Sequence, residues 1–258
     1  MELGLKNKVA LVAGSSRGIG EGIASAFLRE GARTVISGRD AGKLEQAKSS
    51  LASQCGGDQI LAIAGDFAQP DVLARAFQET AARWGGVDCV VVNIGTGKSK
   101  PGWDVSREDW NLAFDQNFWP SVRIATEALR LMTSAGHGSI VFIASITGLE
   151  STVAPLPYSA AKAALVNYSC NLARLAAPHN IRVNCVAPGN VLFPGGSWEK
   201  HLETRRQSVL DFIKAEVPQN RFGTVAEIAD VVVFLSSERA SFVTGACWTA
   251  DGGQTRTF

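Results

Sequence analysis

Short apolar, β-branched runs recur along the chain: VALVA (9–13), TVIS (34–37), QILAIAG (59–65), CVVVN (89–93), SIVFIAS (139–145), RVNCVAP (182–188) and CWTADGG (247–253). Most are apolar at consecutive positions, as in strands covered on both faces. Between them lie longer stretches with helical spacing at 18–30, 41–54, 70–84, 107–134, 158–178, 198–215 and 225–237. Ser106 and Thr224 are placed to cap two of these helices. The alternation predicts a doubly wound α/β fold, with seven parallel strands in one sheet and helices on both faces. No linker-like or low-complexity segment and no internal repeat interrupts it, so one domain is expected over 1–258.

With 258 residues, 46% apolar and 19% charged, the chain can bury a large core. Its net charge of +1 gives no global electrostatic case for nucleic acid or an anionic membrane, so any ligand must be held by a local site. The opening MELGLKNKVALVAG lacks the apolar stretch and cleavage site of a signal peptide, and no run approaches the ~20 apolar residues of a membrane span. A cytoplasmic protein is expected. The five cysteines (Cys55, Cys89, Cys170, Cys185, Cys247) are odd in number and include no Cys-x-x-Cys pair. They support neither a disulfide framework nor a zinc site and read as small core residues. His137, His179 and His201 share no metal-ligand spacing, and no metal is expected.

The first strand runs into VAGSSRGIGEGIASAF (12–27), with Gly14, Gly18 and Gly20 close together. In a Rossmann βα unit this turn brings main-chain N–H groups and a helix N-terminus to one point, where a diphosphate can sit. Gly14 then permits the tight turn, Gly18 lets the backbone approach the ligand and Gly20 lets the helix pack on the strand. The spacing G-x-x-x-G-x-G differs from the general G-x-G-x-x-G fingerprint, and a purely structural glycine turn is the competing reading. The residue that separates the two nicotinamide cofactors falls roughly 20 residues further on, at the end of the second strand. There the sequence reads VISGRD, with no carboxylate at the strand tip and a guanidinium at Arg39 that could grip a 2′-phosphate. Arg17 could add a second cation, and Asp40 is placed to cap the next helix. This favours NADP(H) over NAD(H), against the alternative that both arginines are ordinary surface residues.

YSAAK places Tyr158 and Lys162 on one face at the start of a helix. Ser145 stands at the end of the fifth strand, where α/β sheets present ligand-contacting groups. In FDQNFWPS, Pro120 should kink an otherwise helical pattern beside Asn117. A kink beside a buried Asn can hold water. Taken singly, these could be a capping serine, a packed tyrosine ring and a surface lysine. Together with the glycine turn they form a catalytic group.

These features, with GDFAQ at Asp66, VNIG at Asn93 and Gly95, RVNCVAPG and the closing TGACWTADGG, resemble the short-chain dehydrogenase/reductase family in its single-domain branch. The resemblance spans essentially the whole chain and extends to 3-oxoacyl-carrier-protein reductases. It implies that Tyr158 is the general acid/base, that Ser145 orients the substrate oxygen, that Lys162 binds the nicotinamide ribose and that Asn117 sustains a water-mediated proton relay. It implies cofactor contacts at Gly14, Ser16, Arg17, Gly18, Ile19 and Gly20, at Arg39, at Asp66 and Phe67, and at Asn93 and Gly95. Further contacts are implied at Tyr158, Lys162, Pro188, Gly189 and Val191. The expected reaction interconverts a small-molecule carbonyl compound and a secondary alcohol.

A free tyrosine titrates near pH ~10, too high for efficient proton exchange at neutrality. Lys162 and an oxidised nicotinamide would both favour the phenolate. Ser145 and Tyr158 together would act as an oxyanion site. The sequence departs from the family pattern at Ala13, at Ile94 and, above all, at Phe193. Phe193 stands where Pro-Gly-x-x-x-Thr has the threonine that touches the carboxamide, and it is expected to cover the site instead.

Substrate loops are expected at 94–104 (Lys98, Lys100, Trp103), 146–157 (Thr152, Leu156) and 190–222 (Phe193, Trp198). Their mix of aromatic and basic groups fits a bulky apolar ketone or an anionic carbonyl compound. Arg174 matches a helix position that can be basic in carrier-protein reductases, but LMTSAGHGS lacks a basic cluster for docking a carrier protein. Two other functional classes stay open: a dinucleotide-binding sensor or scaffold without turnover, and a dehydratase or epimerase using the same tyrosine. The long patterns 107–134 and 158–178 carry apolar faces that suggest a homotetramer, with a dimer as the alternative.

Overall fold

The computed structural model describes residues 2–256. Seven strands form one all-parallel sheet: β1 (Val9–Ala13), β2 (Arg33–Gly38), β3 (Ile60–Ala64), β4 (Cys89–Val92), β5 (Gly138–Ile143), β6 (Ile181–Pro188) and β7 (Cys247–Ala250). Their order is β3-β2-β1-β4-β5-β6-β7. The helices are α1 (Gly18–Arg29), α2 (Ala41–Cys55), α3 (Pro70–Trp84), α4 (Arg107–Asn117), α5 (Trp119–Ala135), α6 (Leu156–Ala176), α7 (Ser197–Glu216) and α8 (Val225–Ser236).

Consecutive apolar positions are explained by two cores, one on each face of the sheet. Leu11 and Ala13 of β1, Val90 and Val92 of β4, and Ile140 and Phe142 of β5 pack with Leu73 of α3, Ile124 of α5 and Leu165 of α6. The intervening Ala10, Val12, Cys89, Val91, Val141 and Ile143 pack with Phe27 of α1, Leu51 of α2 and Val232 of α8. A strand whose successive side chains point to opposite faces has to be apolar throughout when both faces are covered.

Two elements depart from the sequence expectation. The pattern at 107–134 is two helices, because Phe118 lies between α4 and α5 and Pro120 sits in the first turn of α5. Proline has no N–H for the carbonyl of Gln116 and crowds that turn, whereas it is well accommodated at the start of a helix, so the chain stops and restarts. The seventh strand ends at Ala250, not 253, where Gly252 and Gly253 take φ of 67° and 85°. The helix expected at 198–215 is α7, with a break at Arg205, and it fills much of the substrate segment 190–222.

The caps expected from sequence are in place. The Ser106 hydroxyl accepts from the N–H of Asp109 at 3.2 Å, and Asp40 accepts from the N–H of Lys43 at 3.1 Å. At α8, Thr224 Oγ1 accepts from the N–H of Glu227 at 3.3 Å while the Glu227 carboxylate accepts from the N–H of Thr224 at 2.8 Å. Thr224→Ala leaves the N–H of Glu227 without this acceptor and should lower the unfolding free energy by about 1 kcal/mol in urea titrations. Thr224→Ser should restore most of it; an unchanged midpoint in the alanine variant would mean the cap contributes nothing.

Candidate active site

The strand order reverses between β1 and β4, which leaves a crevice beyond their carboxyl ends. Gly14 turns the chain there with φ of 71°, and a side-chain carbon on it would fall 2.5 Å from the Asn93 carbonyl oxygen. A side chain on Gly20 would strike the Gly14 carbonyl oxygen. Asn93 Nδ2 donates to that same oxygen at 2.9 Å and ties the loop after β4 to the loop after β1.

Sequence reading missed a second tie. Ser15 is fully buried; its hydroxyl donates to the Val12 carbonyl at 2.6 Å and accepts from the N–H of Ser37 at 2.9 Å. The N–H of Gly14 donates to Ser37 Oγ at 3.1 Å. The glycine turn is thus clamped to β2 as well as β4 before α1 begins. Only the serine-rich composition of the turn hinted at this.

Arg39, one residue beyond β2, is exposed and makes no hydrogen bond or ion pair among the described residues. Ser16 lies against Gly38 beside it; a side-chain carbon on Gly38 would fall 2.8 Å from Ser16 Oγ. Arg17 is also exposed, but its Nη1 donates to the Gly195 carbonyl at 2.9 Å. Phe193 folds back over the glycine turn, with its ring 2.5 Å from where a side-chain carbon on Gly18 would be. Asp66 turns in on its own loop, accepting from the N–H of Ala68 at 2.9 Å. Phe67 is buried in the core, its ring packed away from the crevice.

Beyond β5, Ser145 caps a 3₁₀ turn at Ile146–Gly148, its hydroxyl accepting from the N–H of Thr147 at 3.3 Å. Gly148 packs on α6, where a side-chain carbon would fall 2.7 Å from the main chain of Lys162. This contact carries Ser145 to α6, where its hydroxyl lies near enough to the Tyr158 phenol to influence its titration. One helical turn further on, Lys162 is 4% exposed and its Nζ donates to the Ile143 carbonyl at 2.9 Å. Asn117 is fully buried; its Oδ1 accepts from the N–H of Thr96 at 2.9 Å and its Nδ2 donates to the Ala113 carbonyl at 2.9 Å. A side-chain carbon on Gly95 would fall 2.7 Å from Asn117 Oδ1 and 3.2 Å from Lys162 Nζ. Ser145, Tyr158, Lys162 and Asn117, distant in sequence, thus surround one end of the crevice.

Burial pushes the Lys162 ammonium down to about 8, partly opposed by the nearby Cys185 thiol. Burial pushes the Tyr158 phenol up, partly opposed by the Ser145 hydroxyl beside it. The phenol therefore stays protonated at neutral pH and can donate.

On the far side of the crevice, Val191 is buried and its strand-like segment bridges Gly223, while the N–H of Gly189 donates to the Ala250 carbonyl at 3.1 Å. Pro188 closes β6 just before them. Two residues expected at the substrate mouth are engaged elsewhere. Trp198 stacks on Phe212 at 5.7 Å inside the α7 region, and Lys100 pairs with Asp109 at 3.7 Å. Trp103, Val153 and Leu156 remain exposed.

Residues 13–255 match the family profile described as enoyl-(acyl carrier protein) reductase. The chain is 36% identical over 251 residues to the 3-oxoacyl-(acyl-carrier-protein) reductase FabG of Chlamydia muridarum, covering 96% of this chain and 98% of that one. The chain belongs to the short-chain dehydrogenase/reductase family. Among solved structures of the family, the L-sorbose reductase from Gluconobacter frateurii, complexed with NADPH and L-sorbose, superposes with a TM-score of 0.92 at 32% identity and full coverage of both chains. A 7α-hydroxysteroid dehydrogenase complexed with NADH and 7-oxo glycochenodeoxycholic acid superposes with a TM-score of 0.89 at 28% identity, covering 99% of this chain and 97% of that one. Family membership makes this chain an oxidoreductase of the carbonyl/alcohol class. No helix among the described residues is long and apolar enough to cross a membrane.

The depressed Lys162 value sets a sign for stability. Between about pH 8 and its ordinary value of 10.5, the unfolded chain holds a proton at Lys162 that the folded chain has lost, so rising pH favours the fold in that window. Below about pH 8 both states are protonated and the burial cost is complete. The stability of Lys162→Met relative to wild type should therefore be greatest near neutrality and decline as pH rises through that window. Parallel denaturant titrations check this, and a pH-independent difference would contradict the buried-ammonium account.

Proposed function

We propose that this family member is an NADP(H)-dependent oxidoreductase in which Tyr158 exchanges a proton with the substrate oxygen. One observation carries the reading: the partly buried Tyr158, with Ser145 beside its phenol, stands one helical turn from the buried Lys162 ammonium, at the crevice where the strand order reverses.

The crevice suits a dinucleotide. Gly14 and Gly20 have no room for side chains, and the N-terminus of α1 points at the turn with the partial positive charge an anion requires. The main chain of Ser16, Arg17, Gly18 and Ile19 would hold the diphosphate, and Asp66, the Phe67 main chain and Asn93 the adenosine end. Gly95, Pro188, Gly189 and Val191 would flank the nicotinamide, with Tyr158 and Lys162 on its ribose. Arg39, unpaired and beside Ser16, would take the 2′-phosphate by charge-assisted hydrogen bonds. Bound there, the nicotinamide supplies or accepts the hydride.

In the reducing direction the Ser145 hydroxyl and the Tyr158 phenol donate hydrogen bonds to the carbonyl oxygen, and both bonds strengthen as negative charge develops there. The phenol then gives up its proton. Lys162 stabilises the resulting phenolate, passes it a proton to restore the phenol, and takes a replacement from solvent by way of Asn117 and the helix break at Phe118, where Pro120 offers no N–H to the Gln116 carbonyl. Asn117 acts here as a positioning residue, since its amide already holds Thr96 and Ala113.

The exposed Trp103, Val153 and Leu156 favour a carbonyl substrate with an apolar body, admitted by the segment 190–222. Exposed apolar residues on α4, α5 and α6 (Leu112, Trp119, Leu131 and Leu175) support association into a homotetramer, with a dimer as the alternative.

Against a panel of ketones, diketones and 3-oxoacyl thioesters, wild type should oxidise NADPH. Tyr158→Phe should lose at least about 100-fold in kcat, the scale of general acid catalysis, while its cofactor affinity stays within a few-fold. NADPH bound without turnover of any panel member would favour a dinucleotide sensor, and product formed without net NADPH consumption would favour a dehydratase or epimerase. Arg39→Ala should weaken NADPH binding by about 10- to 100-fold, the worth of a charge-assisted hydrogen bond, and leave NADH binding unchanged. Equal loss for both cofactors, or a wild type that prefers NADH, would overturn the role of Arg39.

A further inference from the structure

The pairing of β6 with β7 sets Cys185 opposite Cys247 on adjacent parallel strands. Neighbouring strands lie about 4.8 Å apart, within the range of roughly 4.4–6.8 Å between Cα atoms that a disulfide spans, and registered residues project to the same face. Both side chains lie on the α6 side of the sheet, Cys185 inside that core and Cys247 packed against its edge. The two thiols influence each other electrostatically, and Cys185 Sγ also contacts the Val186 carbonyl at 3.8 Å. Cys185 is fully buried, whereas Cys247 is half-buried. Cys247 is thus the less buried residue of the pair, and Cys185 lies beside it on the neighbouring strand. The proton chemistry of the crevice uses neither.

We propose that Cys185 and Cys247 are a peroxide-oxidisable dithiol that closes to a reversible disulfide between β6 and β7. Cys247 reacts first. Its thiol is held below its ordinary value by the Cys185 thiol beside it, which favours the nucleophilic thiolate at the less buried position. The Cys247 sulfur attacks one oxygen of hydrogen peroxide, the O–O bond breaks, and the departing oxygen takes the thiol proton and leaves as water, so Cys247 becomes a sulfenic acid. The Cys185 sulfur then attacks the Cys247 sulfur. The S–O bond breaks, the hydroxide takes the Cys185 proton, and a second water leaves. Two thiols are oxidised by two electrons and one hydrogen peroxide is reduced to two waters. The proposal is independent of cofactor identity and of the role of Tyr158.

The test treats the full-length protein with hydrogen peroxide, blocks remaining thiols with iodoacetamide after denaturation, and digests without reduction. Trypsin cutting after Arg182, Lys200, Arg239 and Arg256 separates Cys185, Cys247 and Cys170 into different peptides. The expected product is peptide 183–200 linked to 240–256, two hydrogens lighter than the sum, from protein that runs as a monomer on a non-reducing denaturing gel. Dithiothreitol should abolish it, and Cys247→Ser should never form it. The proposal is overturned if Cys247 appears as sulfinic or sulfonic acid while Cys185 stays alkylatable. It is equally overturned if either thiol links to Cys55, Cys89, Cys170 or a second chain, or if both stay reduced.

Discussion

Where the strand order of a parallel sheet reverses, two connections diverge and leave main-chain polar groups facing an opening that no helix covers. In this chain the opening lies between β1 and β4, and the hydrogen bond from Asn93 to the Gly14 carbonyl spans it. The Ser15–Ser37 clamp holds the same turn from the β2 side. With the turn fixed from both directions, α1 starts at a defined place and its N-terminus addresses the crevice. The absence of side chains at Gly14 and Gly20 follows from that closeness, because the turn packs against Asn93 and against itself.

The same closeness organises the electrostatics at the other end of the crevice. Gly148 lets the turn after β5 lie on α6, so a strand-end serine meets a helical tyrosine, and the Ile143 carbonyl accepts from Lys162 and softens its burial. Desolvation then acts in opposite directions on the two groups. It holds the phenol protonated and loosens the proton of the ammonium, which alone of the two comes nearer to neutral pH than it would be in water. Membership of the short-chain dehydrogenase/reductase family fits this division of roles.

What was legible in the sequence followed from local rules. Runs of consecutive apolar residues marked strands buried on both faces, and Asp40, Ser106 and Thr224 announced the helices they cap. Tyr158, Lys162, Ser145 and Asn117 do converge in space, as their positions at strand and helix ends implied. Features that tertiary contacts decide were not legible. The helix pattern over 107–134 signalled a kink at Pro120 but not that the chain would stop at Asn117 and restart. Nothing local told that Trp198 would stack on Phe212, that Lys100 would pair with Asp109, or that Arg17 would reach Gly195. The Ser15–Ser37 clamp escaped notice because its partners are separated by a whole βα unit.

The central claim is that burial keeps Tyr158 protonated until a positive charge arrives beside it. Proton release on cofactor binding, followed with a pH indicator in weakly buffered solution between neutrality and pH ~9, tests this directly. Binding of NADP+ should release a fraction of a proton that grows with pH, NADPH should release less, and Tyr158→Phe should leave only the part owed to Lys162. Equal release from wild type and Tyr158→Phe, or none from wild type, would show that the phenol does not respond to the charge of the nicotinamide and would contradict the account.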